Sequence, residues 1–102
     1  MIHDDGVPPE VKKKIIAVIS ALIPEAKIYI YGSRAQGTFE RLSDIDLALD
    51  AGQKIEPHGR VSEVKSVLRE LSIIYMVDVV DINNISDDFR NDILGDLLPW
   101  KN

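Results

Sequence analysis

Two carboxylates spaced two residues apart, Asp44 and Asp46, follow a glycine–serine pair, Gly32-Ser33, by about a dozen residues. The run Ser43-Asp44-Ile45-Asp46-Leu47 alternates polar and apolar side chains, which is the period of a strand. Side chains two apart on a strand share a face, so Asp44 and Asp46 point the same way. Their Cα atoms then stand roughly 6.6 Å apart. Carboxylates at that separation can converge on two divalent cations about 3.5–4 Å apart, the spacing used in phosphoryl transfer. Gly32 lets the backbone approach a phosphate closely. Ser33 offers a hydroxyl and the amides of a helix start. The chemistry implied is work on the phosphates of a nucleotide.

A third acid comes from Met76-Val77-Asp78-Val79-Val80-Asp81, a very apolar run that holds two aspartates. A charge inside a sheet is costly unless it is paired or binds a metal. Asp78 and Asp81 are an odd number of residues apart and face opposite sides, so only one can join Asp44 and Asp46. Asp81 nears the strand end, where water is closer. Asp78 lies mid-strand and is the one expected at the site. Nucleotidyl transfer needs such a trio, because negative charge gathers on both the attacking and the leaving oxygens. Two Mg²⁺ ions stabilise both ends of that displacement. Mg²⁺ takes oxygen ligands from one or two carboxylates together with substrate phosphates and water. Asp44 and Asp46 are expected to bridge the ions. Asp78 is expected to hold the ion that activates the acceptor hydroxyl and to accept its proton.

Several elements must position these groups. Pro8-Pro9-Glu10 reads as a helix start, and Val11, Ile15, Val18, Ile19, Leu22 and Ile23 recur at helical spacing up to Pro24. Lys12, Lys13 and Lys14 fall largely off that stripe and read as a solvated face. Lys27–Tyr31 is β-branched and aromatic and reads as a strand, in which Tyr29 and Tyr31 serve sheet packing. Ser33–Gln36 reads as one helical turn, with Ser33 capping, Gln36 reaching back as in a capping box, and Gly37 closing it. Asp44–Asp50 is the second strand and Ala51–Gly59 a loop. Val61, Val64, Val67, Leu68 and Leu71 mark an amphipathic helix, and Ile73–Ile82 is the third strand. Ser86 caps a last helix that carries Phe89, Ile93, Leu97 and Leu98 and stops at Pro99, with Asp87 and Asp88 at its positive end. Trp100 is expected to pack as an apolar anchor. The pattern predicts an α/β fold of the α+β kind, a small mixed sheet with helices packed on it. The link between the first two strands is too long for a tight hairpin and leaves their relative direction open.

Composition narrows the function classes. The chain has 102 residues, enough for one domain and one modest core, and residues 1–102 are read as a single domain. A formal net charge of −5 argues against broad binding to DNA or RNA, which needs a basic face. It does not exclude a triphosphate, since bound cations reverse the sign inside an acidic cleft. Cysteine is absent, which removes disulfides and thiolate metal sites. Apolar runs are too short to span a membrane and no secretory leader is read at the start, so a cytoplasmic protein is expected. His3 and His58 read as surface residues; Lys54 and Arg60 flank the loop after the second strand and read as loop surface, with a substrate contact as the alternative.

Gly32-Ser33-Arg34-Ala35-Gln36-Gly37 followed by Ser43-Asp44-Ile45-Asp46-Leu47 resembles the signature of the DNA polymerase beta-like nucleotidyltransferase superfamily. Its small size resembles the minimal nucleotidyltransferases of prokaryotes, which are often antitoxins paired with a HEPN-domain ribonuclease toxin. The resemblance spans about Lys27 to Ile82. It implies that Gly32 and Ser33 form the phosphate-binding turn, that Asp44 and Asp46 are the metal pair, and that Asp78 is the third carboxylate. Arg34 stands where relatives are often basic, which implies a phosphate contact beside the alternative of a solvated arginine. The extra acceptor-binding domain of larger relatives is missing, so a partner protein is expected to be or to supply the acceptor. In antitoxin relatives AMP passes from ATP to a tyrosine of the toxin. The expected activity is therefore Mg²⁺-dependent transfer of AMP to a HEPN-type toxin. Two alternatives stand beside it: a non-catalytic module that neutralises its partner by covering it, and a transferase acting on a small molecule of antibiotic type.

Overall fold

The computed structural model describes residues 4–57 and 59–101, so His3 and His58 lie outside the described residues. Helix α1 runs from Pro9 to Leu22, its entry preset by Pro9 in the first turn. Ile15 and Ile19, one turn apart, are fully buried on its inner face, and Ile23 follows them. Strand β1 (Lys27–Tyr31) buries Ile28 and Ile30. A single turn, α2 (Ser33–Gln36), leads through a loop to β2 (Ile45–Asp50). Helix α3 spans Gly59–Glu70, β3 spans Val77–Asp81, α4 spans Asp87–Leu94, and β4 spans Leu98–Lys101.

The sheet order is β3-β2-β1-β4. β1 pairs antiparallel with β2 and with β4, and β2 pairs parallel with β3. The sheet is thus mixed, as expected, and the direction left open between the first two strands is antiparallel. The parallel pair is joined through α3, as a parallel connection requires. α1 and α3 pack over one face, where Ile45, Leu47 and Leu49 of β2 meet Ile15, Ile19, Val64 and Leu68. Arg60 of α3 ties this layer to the turn after α1 through both carboxylate oxygens of Glu25, at 2.6 and 2.7 Å. On the opposite face a smaller cluster of Tyr31, Ala48, Ile82 and Ile93 seats α4. Asp46, two residues before Ala48, shares that second face and lies where the cover of α4 runs out.

Three expectations change. The third strand begins at Val77 rather than Ile73. The Ile45 amide donates to the Met76 carbonyl at 2.9 Å, and before that point β3 has no strand beside it to pair with. The last helix ends at Leu94, not Leu98. The chain turns at Gly95 and returns as β4, so Pro99 lies in an edge strand, where a missing donor is tolerated. Trp100 is an anchor with a polar handle: its Nε1 donates to Asp5 Oδ2 at 2.9 Å, and the Lys12 ammonium sits 5.1 Å from its ring centre.

Candidate active site

Parallel pairing of β2 and β3 sets Asp46 directly opposite Asp78, and antiparallel pairing of β1 and β2 sets Tyr31 opposite Asp46. Neighbouring strands are about 4.8 Å apart, so the two carboxylates start from adjacent backbone positions. Asp44 is exposed just ahead of β2, Asp46 is half-buried, and Asp78 is exposed. Asp81 faces the other way. Its Oδ2 accepts from the Ile55 amide at 2.7 Å and its Oδ1 from the Asn83 amide at 3.0 Å. Asp81 is thereby spent on holding the loop after β2, while Asp78 stays open to a ligand.

Burial and neighbouring charge both act on Asp46 and Tyr31. Burial, then the charges of Asp78 and Asp44, push the Asp46 carboxyl up from 3.8 to about 6, with the Arg34 charge opposing. Tyr31 is pushed up to about 12 by burial and then by Asp46 and Asp78, so its phenol stays protonated at any physiological pH. Tyr31 is more than sheet packing: it borders the acids.

Gly32 supplies the other wall. Its φ of +74° and ψ of −151° lie in a region essentially reserved for glycine. A Cβ at this position would stand 2.7 Å from Asp46 Oδ2, so only a bare backbone fits against the carboxylate. Gly32 caps α2, and Ser33 is its first residue rather than its cap. The capping box is not formed. No side chain caps this turn, and Gln36 instead donates to Asp96 Oδ2 at 2.8 Å. Gly37 closes the turn in the left-handed conformation, as expected.

Arg34 departs from both of its expected roles, phosphate contact and solvated arginine. It is fully buried. Its Nε and Nη2 donate to the Ser43 carbonyl at 3.1 and 2.8 Å, Nη2 also to the Arg41 carbonyl at 3.2 Å, and Nη1 to the Asp5 carbonyl at 2.9 Å. The rings of Phe39 and Tyr75 flank the guanidinium at 4.9 and 5.1 Å. A buried cation is tolerated only with its donors used, and the carbonyls of the loop ahead of Asp44 use them here.

A cleft of about 590 Å³ opens beside the acids. Asp44, Asp46 and Asp78 form one side, with Lys65 and Arg69 of α3 and the segment around Tyr75 forming the rest. Ile74 and Met76, which line it, are 68% and 73% exposed. The sequence pattern passes over Lys65, Arg69 and Tyr75. The signal was present: the two basic residues are four apart on α3 and therefore share one face.

A profile of the polymerase beta nucleotidyltransferase family matches residues 13–98. The chain belongs to that family. Among curated relatives, it is 27% identical over 85 residues to a probable protein adenylyltransferase, MntA, of Haemophilus influenzae, covering 79% of this chain and 74% of the relative. Among solved structures, a toxin–antitoxin crystallised with AMP-PNP superimposes with a TM-score of 0.71 at 29% identity, over 89% of this chain and 73% of the other. An MNT antitoxin in complex with the tri-AMPylated HEPN toxin of Shewanella oneidensis shares the fold, with a TM-score of 0.67 at 23% identity over 91% and 71% of the two chains.

Among the described residues, no three His, Cys, Asp or Glu side chains close into a ready-made metal cage. The donor set of this nucleotidyltransferase nevertheless fits a hard divalent cation. All three groups are carboxylates, and Mg²⁺ needs only one or two from the protein when phosphates complete its shell. The upward push on Asp46 by Asp78 and Asp44 is the repulsion that a bound cation relieves.

Proposed function

We propose that this nucleotidyltransferase moves AMP from ATP to a hydroxyl of a protein partner, a tyrosine of a HEPN-type toxin, and so acts as its antitoxin in the cytoplasm. One observation carries the proposal: Asp46 and Asp78 lie side by side in register, with the bare backbone of Gly32 against Asp46. The relatives above, one named an adenylyltransferase and one a toxin–antitoxin with AMP-PNP, support the choice of nucleotide and of partner class.

In the proposed reaction the acceptor hydroxyl attacks the α-phosphorus. A new P–O bond forms, the bond to the β-phosphate oxygen breaks, and pyrophosphate leaves. Attack and departure are in line, so the two groups lie on opposite sides of the α-phosphorus. Gly32 and Ser33 follow β1, on one side of Asp46, and hold the departing phosphates. The cleft bounded by α3 and Tyr75 lies toward β3, on the other side, and admits the acceptor. Asp78 stands on that side and takes the hydroxyl proton. Asp44, Asp46 and Asp78 would hold two Mg²⁺ ions, whose charge neutralises the oxygens gained and lost. The chain as a whole, residues 1–102, is one minimal domain for this task.

The test is to co-express the chain with its cognate toxin, supply ATP and Mg²⁺, and weigh both proteins intact. A gain of whole AMP masses on the toxin is expected, and it should vanish with Asp46→Asn. A toxin neutralised at its unmodified mass would refute the transfer reading.

A further inference from the structure

The side chain of Arg34 reaches four separate stretches of chain, and three of them lead directly into the site. Its own backbone follows Ser33 in α2. Its guanidinium binds the carbonyls of Arg41 and Ser43, and Asp44 is the next residue. Tyr75, whose ring lies 5.1 Å from the guanidinium, forms the cleft wall three residues before Asp78. The fourth stretch is the N-terminal segment, held through the Asp5 carbonyl. Gly6 is packed so closely there that a Cβ would stand 2.2 Å from the Phe39 ring and 3.0 Å from Arg34 Nη1. Pairing of Tyr31 with Asp46 fixes Asp46 beside Gly32, whereas the loop from Thr38 to Asp44 has no helix or strand and is held by a turn between Glu40 and Ser43 and by the bonds to Arg34.

We propose that Arg34 is a positioning residue for nucleotidyl transfer: its buried guanidinium braces the loop that delivers Asp44 against the glycine–serine turn, without touching nucleotide or metal. A planar fork with five donors can bridge several carbonyls at fixed angles, whereas a lysine ammonium is a single point on a flexible stem. Arg34→Lys therefore keeps the charge and loses the geometry. This inference rests on the transfer reading above, and its consequence is specific. The phosphate turn is held by its own helix turn, so ATP still binds. Asp44 shifts relative to it, so the chemical step slows.

The experiment compares wild type, Arg34→Lys and Ile19→Ala, a change in the core of α1 that controls for a general loss of thermal stability. Each is assayed well below its own melting temperature. For Arg34→Lys the expected result is a fall in kcat of about 100-fold, the order that a misplacement near 1 Å produces. The KM for ATP should stay within about 3-fold, the signature of an interaction expressed in the transition state. Amide hydrogen exchange should accelerate across residues 39–46, and Mn²⁺ affinity should fall by about 10-fold. Ile19→Ala should show none of these. If Arg34→Lys does not fold, Phe39→Leu removes one ring from the guanidinium and should lower kcat by about 10-fold with the same exchange pattern. Wild-type kcat in the folded Arg34→Lys protein, or losses equal to those of Ile19→Ala, would overturn the proposal. If wild type itself transfers nothing, the transfer reading fails. Exchange and Mn²⁺ binding then still decide the positioning role: faster exchange with weaker binding upholds it, and unchanged values refute it.

Discussion

Asp46 holds its charge at a cost to the fold. Its carboxyl is pushed up from 3.8 to about 6, so the folded chain binds this proton more tightly than the unfolded one. That proton-linked stabilisation is complete below about pH 3.8 and is lost as the pH rises through 6. Above pH 6 the ionised group therefore weakens the fold, by about 1 kcal/mol once water on its open side has screened the charge. Asp46→Asn should melt several degrees higher than wild type at pH 7.5, and the gap should close as the pH is lowered toward 4. The same variant should lose at least ~100-fold in transfer rate, about 2.7 kcal/mol of transition-state stabilisation. Added Mg²⁺ should raise the melting temperature of wild type and not that of the variant. A variant no more stable than wild type at pH 7.5 would mean that burial and the neighbouring acids do not penalise the Asp46 charge. Gly32 gives the complementary case. Gly32→Ala forces a Cβ into a glycine-only conformation 2.7 Å from Asp46 Oδ2, and a loss of about 1–3 kcal/mol in urea unfolding is expected.

Elements were legible in the sequence where local pattern and tertiary partner agree. The stripe of α1, the alternation of β2 and the run of β3 all appear because one face of each meets the core. The facing of Asp46, Asp78 and Asp81 followed from parity alone. What the pattern could not carry was information held by a neighbour. Ile73–Met76 has strand composition but no strand beside it, and it becomes the exposed wall of the cleft. Leu97 and Leu98 continue the stripe of α4, yet β1 had a free edge that β4 fills. Arg34 was read from its position beside Ser33, and only the returning loop shows where its donors go. The closing strand offers a direct measurement at Trp100. Trp100→Phe keeps a ring on Lys12 and removes the donor to Asp5 Oδ2. Unfolding followed by circular dichroism should show a loss of about 1 kcal/mol, the net worth of one hydrogen bond. A change below ~0.3 kcal/mol would mean that the N-terminal segment and β4 are not coupled through this bond.

On the scale of the whole molecule, much of the exposed apolar surface of the described residues borders the acids, with Leu94 of α4 exposed as well. Leu42 is 58% exposed two residues before Asp44, and Ile74 and Met76 line the cleft at 68% and 73%. Phe89, exposed at 36%, meets Tyr31, which faces Asp46, in an edge-on arrangement with ring centres 6.1 Å apart. A surface of this kind suits a protein partner, and for the toxin of the proposed function two ways of silencing stand open: covering it or modifying it. An Asp44→Asn/Asp46→Asn double variant separates them, because removing two charges spares this apolar rim. If modification is the mechanism, the double variant should still co-purify with the toxin. The toxin should then carry no nucleotide mass and regain full activity once the two chains are separated. Toxin prepared with wild type should stay inactive after separation, since a covalent AMP outlasts the complex. If toxin from both preparations regains the same activity, neutralisation is by coverage, and the acids are not its agents.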